Sequence, residues 1–189
     1  MLDALDTARS ALARNEERWV MALEGAGHGV WDRDVESEHV YFSRQWKEML
    51  GYREDEIADT LDEWESRVHP EDRAARSSDL QRHLRGETPQ HIHEHRVRCK
   101  DGSYKWVSER GRVVEWVEAG RPRRVIGTRT DITARKEAEQ ALASAYAQLQ
   151  ALIDSYPGGV VMVNARGSVV LVNRRFSALF EIRDAPVLI

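Results

Sequence analysis

At 189 residues, the chain sets 28 Lys and Arg against 32 Asp and Glu for a net charge of −4, so no overall field recruits nucleic acid or anionic lipid. Hydrophobic residues at 41% and charged residues at 32% fit a globular protein with charged helices. One cysteine, Cys99, excludes an internal disulfide, and the absence of an 18-residue apolar run or a signal-peptide core predicts a cytoplasmic chain.

The first expected element is an amphipathic helix over residues 1–24, with Leu5, Ala8, Leu12, Trp19 and Ala22 on one stripe and Asn15 as its polar member. The glycines from Gly25 to Gly29 end it. Val30 to Asp34 and His39 to Phe42 read as a short hairpin, and Ser43 caps a helix that stops at Gly51. Pro70 suits the first position of a helix running to about Leu84, Arg85 and Gly86. After Pro89 the pattern alternates. Gln90 to Lys100 and Ser103 to Trp116 form two long strands around Asp101-Gly102, and a third strand spans Arg123 to Thr130. Neighbouring antiparallel strands with helices on one face make an α+β fold.

That last strand passes into another helix with only Asp131, Ile132 and Thr133 to mark the junction. Thr133 is expected to cap the helix start. Ala138, Leu142, Ala145, Leu149 and Leu152 then recur at 4-3-4-3 spacing, the pattern that buries one stripe against a partner helix. With Leu5, Leu12 and Trp19 they form the expected seam of a homodimer. A strand joined directly to a rod about 33 Å long over residues 133–154 reads as a device that passes strain.

The sequence also repeats itself at an offset of 130 residues, as from Ser43 to Asn173. Gly29, Val30 and Trp31 fall on Gly159, Val160 and Val161, and Trp46, Met49 and Leu50 fall on Phe176, Leu179 and Phe180. Ala8, Leu12, Trp19 and Ala22 fall on Ala138, Leu142, Leu149 and Leu152, so the helical stripe enters both copies in one rotational phase.

Gly29-Val30-Trp31-Asp32, Trp46 with Gly51-Tyr52, Trp64 with His69-Pro70-Glu71-Asp72, Lys100-Asp101-Gly102 with Tyr104 and Trp106, and Gly127 with Asp131-Ile132-Thr133 together resemble the PAS sensory domains. The likeness is to the tryptophan-rich bacterial subgroup with its PAC-like C-terminal motif, over roughly residues 20–139. It implies a five-stranded antiparallel sheet, small helices on one face, and a pocket between them that holds haem, flavin, a small organic acid or nothing. The implied division is a helix over 1–24, a PAS domain over 25–132, a connecting signalling helix over 133–155, and an incomplete second PAS-like segment over 156–189. Output would come from a domain outside this chain, a sensor histidine kinase first, a cyclic-di-GMP cyclase or phosphodiesterase as the alternative. A ligand-free dimerisation scaffold is the third reading.

The residues name no cofactor. No Asn-Cys-Arg-Phe stretch for covalent flavin is present, and Cys99 at a strand end reads as a small semi-buried apolar residue. Haem is not expected: His83 lies two turns past the haem-ligand position of relatives, where Arg76 stands nearer, and reads as a solvated cation at a helix end. His91, His93 and His95 alternate on one strand face, the outer pair about 13 Å apart, and are weak metal candidates, a pH-sensitive patch, or ordinary sheet-surface or interface histidines. His93-Glu94-His95-Arg96 resembles a kinase phosphoacceptor motif but sits in a strand rather than a helix, so no catalytic residue is assigned. The tryptophans read as core anchors, and the expected pocket lining is Trp31, Trp46, Trp64, Val97, Ile126 and Thr128.

Overall fold

The computed structural model of the chain describes residues 21–23, 25–117 and 120–180. Of the helix expected over 1–24, residues 21–23 are helical, whereas Leu5, Leu12 and Trp19 lie outside the described residues. The chain divides into two compact units, Met1–Ala134 and Arg135–Ile189.

In the first unit, strands β1 (His28–Asp34) and β2 (Val40–Phe42) are followed by α1 (Arg44–Met49), a 3-10 turn (Glu54–Glu56), α2 (Leu61–Glu65) and α3 (Pro70–Leu84). Then come β3 (His91–Arg98), β4 (Tyr104–Val117) and β5 (Arg121–Asp131). The five strands form one antiparallel sheet in the order β2-β1-β5-β4-β3, so the last strand closes at the centre between β1 and β4. Helices α1 and α3 pack against β1 and β3.

Local chemistry explains where these elements start. The Ser43 hydroxyl accepts from the backbone N–H of Trp46 at 3.3 Å and from that of Val30 at 2.9 Å, so one residue caps α1 and pins it to β1. Gly29 permits the close approach: a Cβ there would lie 2.6 Å from the Trp46 Cα. At the start of α3, Pro70 takes the position that needs no N–H, and the Asp72 carboxylate accepts from the Arg96 backbone at 2.8 Å and its guanidinium at 2.7 Å, tying the helix to β3. Between sheet and helices lies a core of Trp31, Val40, Phe42, Trp46, Leu50, Trp64, Val68, Leu80, Val97, Val107 and Val125.

The junction after β5 differs from the expected cap. The Thr133 hydroxyl turns back to β4 and accepts from the Trp106 N–H at 3.1 Å, while the Ile132 N–H donates to the Trp106 carbonyl at 2.9 Å. The Asp131 carboxylate accepts from the Thr133 N–H at 2.9 Å and pairs with the Lys105 ammonium at 2.9 Å. The threonine is a latch between strand and helix, and the aspartate takes the capping role, because two residues after an aspartate its carboxylate readily reaches the backbone N–H.

Helix α4 (Thr133–Ser155) begins at this latch and continues through the second unit, where β6 (Val161–Val163), β7 (Val169–Val172) and α5 (Arg174–Leu179) come next. The repeat is reproduced in the corner hydrogen bonds and in the first pairs of the hairpin, while a register shift between Met162 and Val163 sets β6-β7 apart from β1-β2. Asn173 Oδ1 accepts from the N–H groups of Phe176 at 2.9 Å and Val160 at 2.8 Å, as Ser43 does for Trp46 and Val30. Val161 pairs with Val172 as Trp31 pairs with Phe42. Asn164 accepts from the Arg166 N–H as Asp34 accepts from that of Glu36. The larger amide side chain of Asn173 additionally donates to the Ile153 and Gly158 carbonyls, which ties this hairpin to the end of α4.

Candidate functional site

The inner face of the sheet carries charge where an apolar floor is the default. Strict alternation puts Val107, Glu109, Gly111 and Val113 of β4 inward, and Val125, Gly127 and Arg129 of β5 inward beside them. Glu109 and Arg129 are direct cross-strand partners, and Glu109 also faces His93 on β3. His91 and His95, two residues to either side of His93, are therefore diagonal neighbours of Glu109. From above, α3 presents Arg76, Leu80, His83 and Leu84 on its buried stripe, so helical spacing drives Arg76 into the same place.

The resulting cluster is tight. Arg76 Nε donates to Glu109 Oε2 at 2.9 Å, and Arg129 Nη2 donates to Glu109 Oε1 at 2.9 Å. The nearest nitrogens of His91 and His95 stand 3.7 and 3.8 Å from Oε2, outside hydrogen-bonding distance. The Arg129 guanidinium lies 3.1 Å over the Trp64 ring and 5.0 Å from that of Trp46, with Arg76 5.1 Å from Trp64. Burial opposes the Glu109 carboxylate, but Arg76 and Arg129 outweigh it and hold the carboxyl well below its usual range. Burial pushes the His95 imidazole down to about 3, so it is neutral near pH 7. Burial also lowers Arg129 to about 9 against the opposing pull of Glu109.

A cavity of about 20 Å³ adjoins this cluster, lined by Trp31, Arg33, Phe42, Trp64, Arg76, Leu80, Glu109 and Arg129 among others. The Trp31 indole forms one wall. It lies across the paired Gly111 and Gly127, where a Cβ on Gly111 would come within 2.7 Å of the ring and one on Gly127 would overlap it.

Of the expected lining residues, Trp31 and Trp64 border the cavity, and Trp46 and Val97 are core residues without bordering it. Ile126 and Thr128 belong to the opposite face, because they alternate with the inward Val125, Gly127 and Arg129. Adjacent apolar Val125 and Ile126 leave the strand's phase ambiguous in the sequence, and packing selects Val125. The histidines are not sheet-surface residues: His91 and His95 are buried, and His93 bonds Asp79 at 2.7 Å. A divalent cation at His91, His95 and Glu109 would face two guanidiniums already bound to the one carboxylate, which disfavours it. His83 is buried rather than solvated, its Nε2 accepting from the Val113 N–H at 3.1 Å and its Nδ1 bonded to the Thr88 carbonyl at 2.9 Å, so neither nitrogen is left to ligate haem iron. Burial raises the Cys99 thiol, as for an inert core residue.

The sequence reading missed Arg76, Glu109 and Arg129. Their signal was present as three charged residues at core-phase positions of α3, β4 and β5. Among the described residues no helix is long and apolar enough to cross a membrane.

A family model described as the PAS fold matches residues 39–129, and one described as a PAS domain matches residues 147–188. The sensor protein FixL of Bradyrhizobium diazoefficiens is 26% identical over 164 residues, covering 87% of this chain and 32% of that protein, so the chain spans about a third of that relative's length. A crystal structure of a sensory box histidine kinase/response regulator from Burkholderia thailandensis is 33% identical with a TM-score of 0.63, covering 70% of this chain and 98% of that one. The N-terminal domain of a diguanylate cyclase with PAS/PAC sensor from Marinobacter aquaeolei shares the fold at 22% identity and a TM-score of 0.51, with 58% of this chain and 98% of that one covered.

Proposed function

The chain belongs to the PAS family, and from that premise we propose that it is the sensory and dimerising module of a cytoplasmic bacterial signalling protein whose output domain, a histidine kinase, lies outside these residues. One observation carries the reading. β5 places Arg129 in the buried cluster and, two residues later, Asp131 in the latch that begins α4, so a single strand links core to rod. A change in the charge or packing around Glu109 would displace β5, and the Trp106, Ile132 and Thr133 hydrogen bonds would carry that displacement into the first turn of α4. The FixL and Burkholderia likenesses support a kinase output, and the exposed Leu142, Leu149 and Leu152 support a shared rod between two copies.

The test is autophosphorylation of the full-length parent protein with one to seven residues inserted after Gln148. Each inserted residue rotates the downstream part of the rod by about 100°, and seven restore the phase of a heptad. Phosphate incorporation should vary with insertion length and return near the starting level at seven. Absence of ATP-dependent phosphorylation would refute the kinase output, and indifference to insertion length would refute transmission through the rod.

A second reading is favoured by the small cavity. With Trp31, Phe42 and Trp64 filling the core, the unit also suits a dimerisation scaffold that holds no organic ligand. Native mass spectrometry separates the two: an added organic mass on the purified chain excludes the scaffold.

A further inference from the structure

We propose that the inner cavity binds a single small monovalent anion of halide size, held by Arg129 and Arg33 beside the Trp64 ring. Three guanidiniums, those of Arg33, Arg76 and Arg129, line the cavity, and Glu109 is the one carboxylate among its lining residues. The carboxylate is shared between Arg76 and a single nitrogen of Arg129. Arg129 is 1% exposed, yet its Nε and Nη1 have no hydrogen-bond partner, nor does the Nε of Arg33. Unmatched positive charge in a dry interior is costly, and a buried donor without an acceptor adds to that cost. Glu38 and Glu65 act on Arg33 but neither lines the cavity, and the neutral His95 adds no charge of its own. An anion at this place would answer both the charge excess and the free N–H groups.

Size decides the class. About 20 Å³ exceeds the roughly 10–15 Å³ that one water needs and is far too little for a flavin or a haem, and a compact ion suits it best. The two guanidiniums on Glu109 repel a cation. A halide is compact, accepts hydrogen bonds from several directions, and can sit at the edge of an arginine whose face is stacked on tryptophan.

The experiment compares thermal unfolding of the whole chain in sodium chloride, sodium bromide and sodium gluconate at equal ionic strength, with the halide titrated over the low millimolar range, below the concentrations of general salt effects. At about ten times the dissociation constant, the midpoint should rise by about 3–6 °C in either halide and stay put in gluconate, whose anion is too large to enter. Bromide should also quench the tryptophan emission saturably, since Trp46 and Trp64 are shielded from free collision. Arg129→Met should abolish both responses. Arg33→Gln, at a partly exposed position, should weaken them at least tenfold in affinity, and it carries the test if the first variant does not fold. Equal midpoints in all three salts, or an unchanged halide response in Arg33→Gln, would overturn the proposal and leave the cavity to a water molecule.

Discussion

Glu109 decides how the centre of this molecule behaves. Removing its charge as Glu109→Gln strands two buried guanidiniums, and breaking a buried pair in this way costs about 3–5 kcal/mol. Urea unfolding should show a loss of that size, whereas Arg124→Gln, which breaks an exposed pair with Asp32, should cost no more than about 1 kcal/mol. The histidine beside it sets an acid limit. His95 takes its proton at about 6.5 when unfolded and at about 3 when folded, so the unfolded chain binds the proton first. Stability from this group is therefore complete above about 6.5 and declines as the pH falls toward about 3, with a slope approaching about 1.4 kcal/mol per pH unit. Glu109, whose folded carboxyl is also depressed, adds loss of the same sign below its ordinary value of 4.5. His95→Gln should flatten the decline between pH 6 and 5 in denaturant titrations; an unaltered slope would place the proton uptake elsewhere.

At the scale of elements, each strand-to-helix transition is held by side chains that face two ways. Ser43 and Asn173 each cap a helix and accept from a second backbone N–H, that of Val30 in β1 and that of Val160 just before β6, so the two copies share one corner design with hydroxyl exchanged for amide. Thr133 does the corresponding work after β5. Thr133→Val keeps the shape but loses the acceptor for the Trp106 N–H, a change worth about 1 kcal/mol at this partly buried position. Hydrogen exchange should then quicken at the amides of Trp106 and Ile132 while the β1 to β5 pairing stays protected. Uniform loss of protection across the sheet would show that the latch is not a local element.

For the molecule as a whole, α4 is the feature on which the proposed dimer rests. Its 23 residues expose Leu142, Leu149 and Leu152, and none of its residues is buried within the chain. An apolar seam of this length on a charged helix is stable when two copies share it. Leu142→Asp combined with Leu149→Asp should convert the proposed dimer to a monomer in light scattering and leave the melting of the first unit nearly unchanged. A mass that does not fall would refute the seam.

Features encoded within a few residues were legible without coordinates. Alternation around Asp101-Gly102, the proline that opens α3, the serine that caps α1 and the 130-residue repeat each depend on spacing along the chain, and the five-stranded α+β fold is built from them. Tertiary structure alone decided that Val125 rather than Ile126 faces inward, that Thr133 bonds β4 instead of capping its own helix, and that Arg76, Glu109 and Arg129 meet. Those outcomes depend on which surface a neighbouring element covers. A charge at a core-phase position reads as a mistake in the sequence until three elements converge and Arg76 and Arg129 meet on the one Glu109 carboxylate.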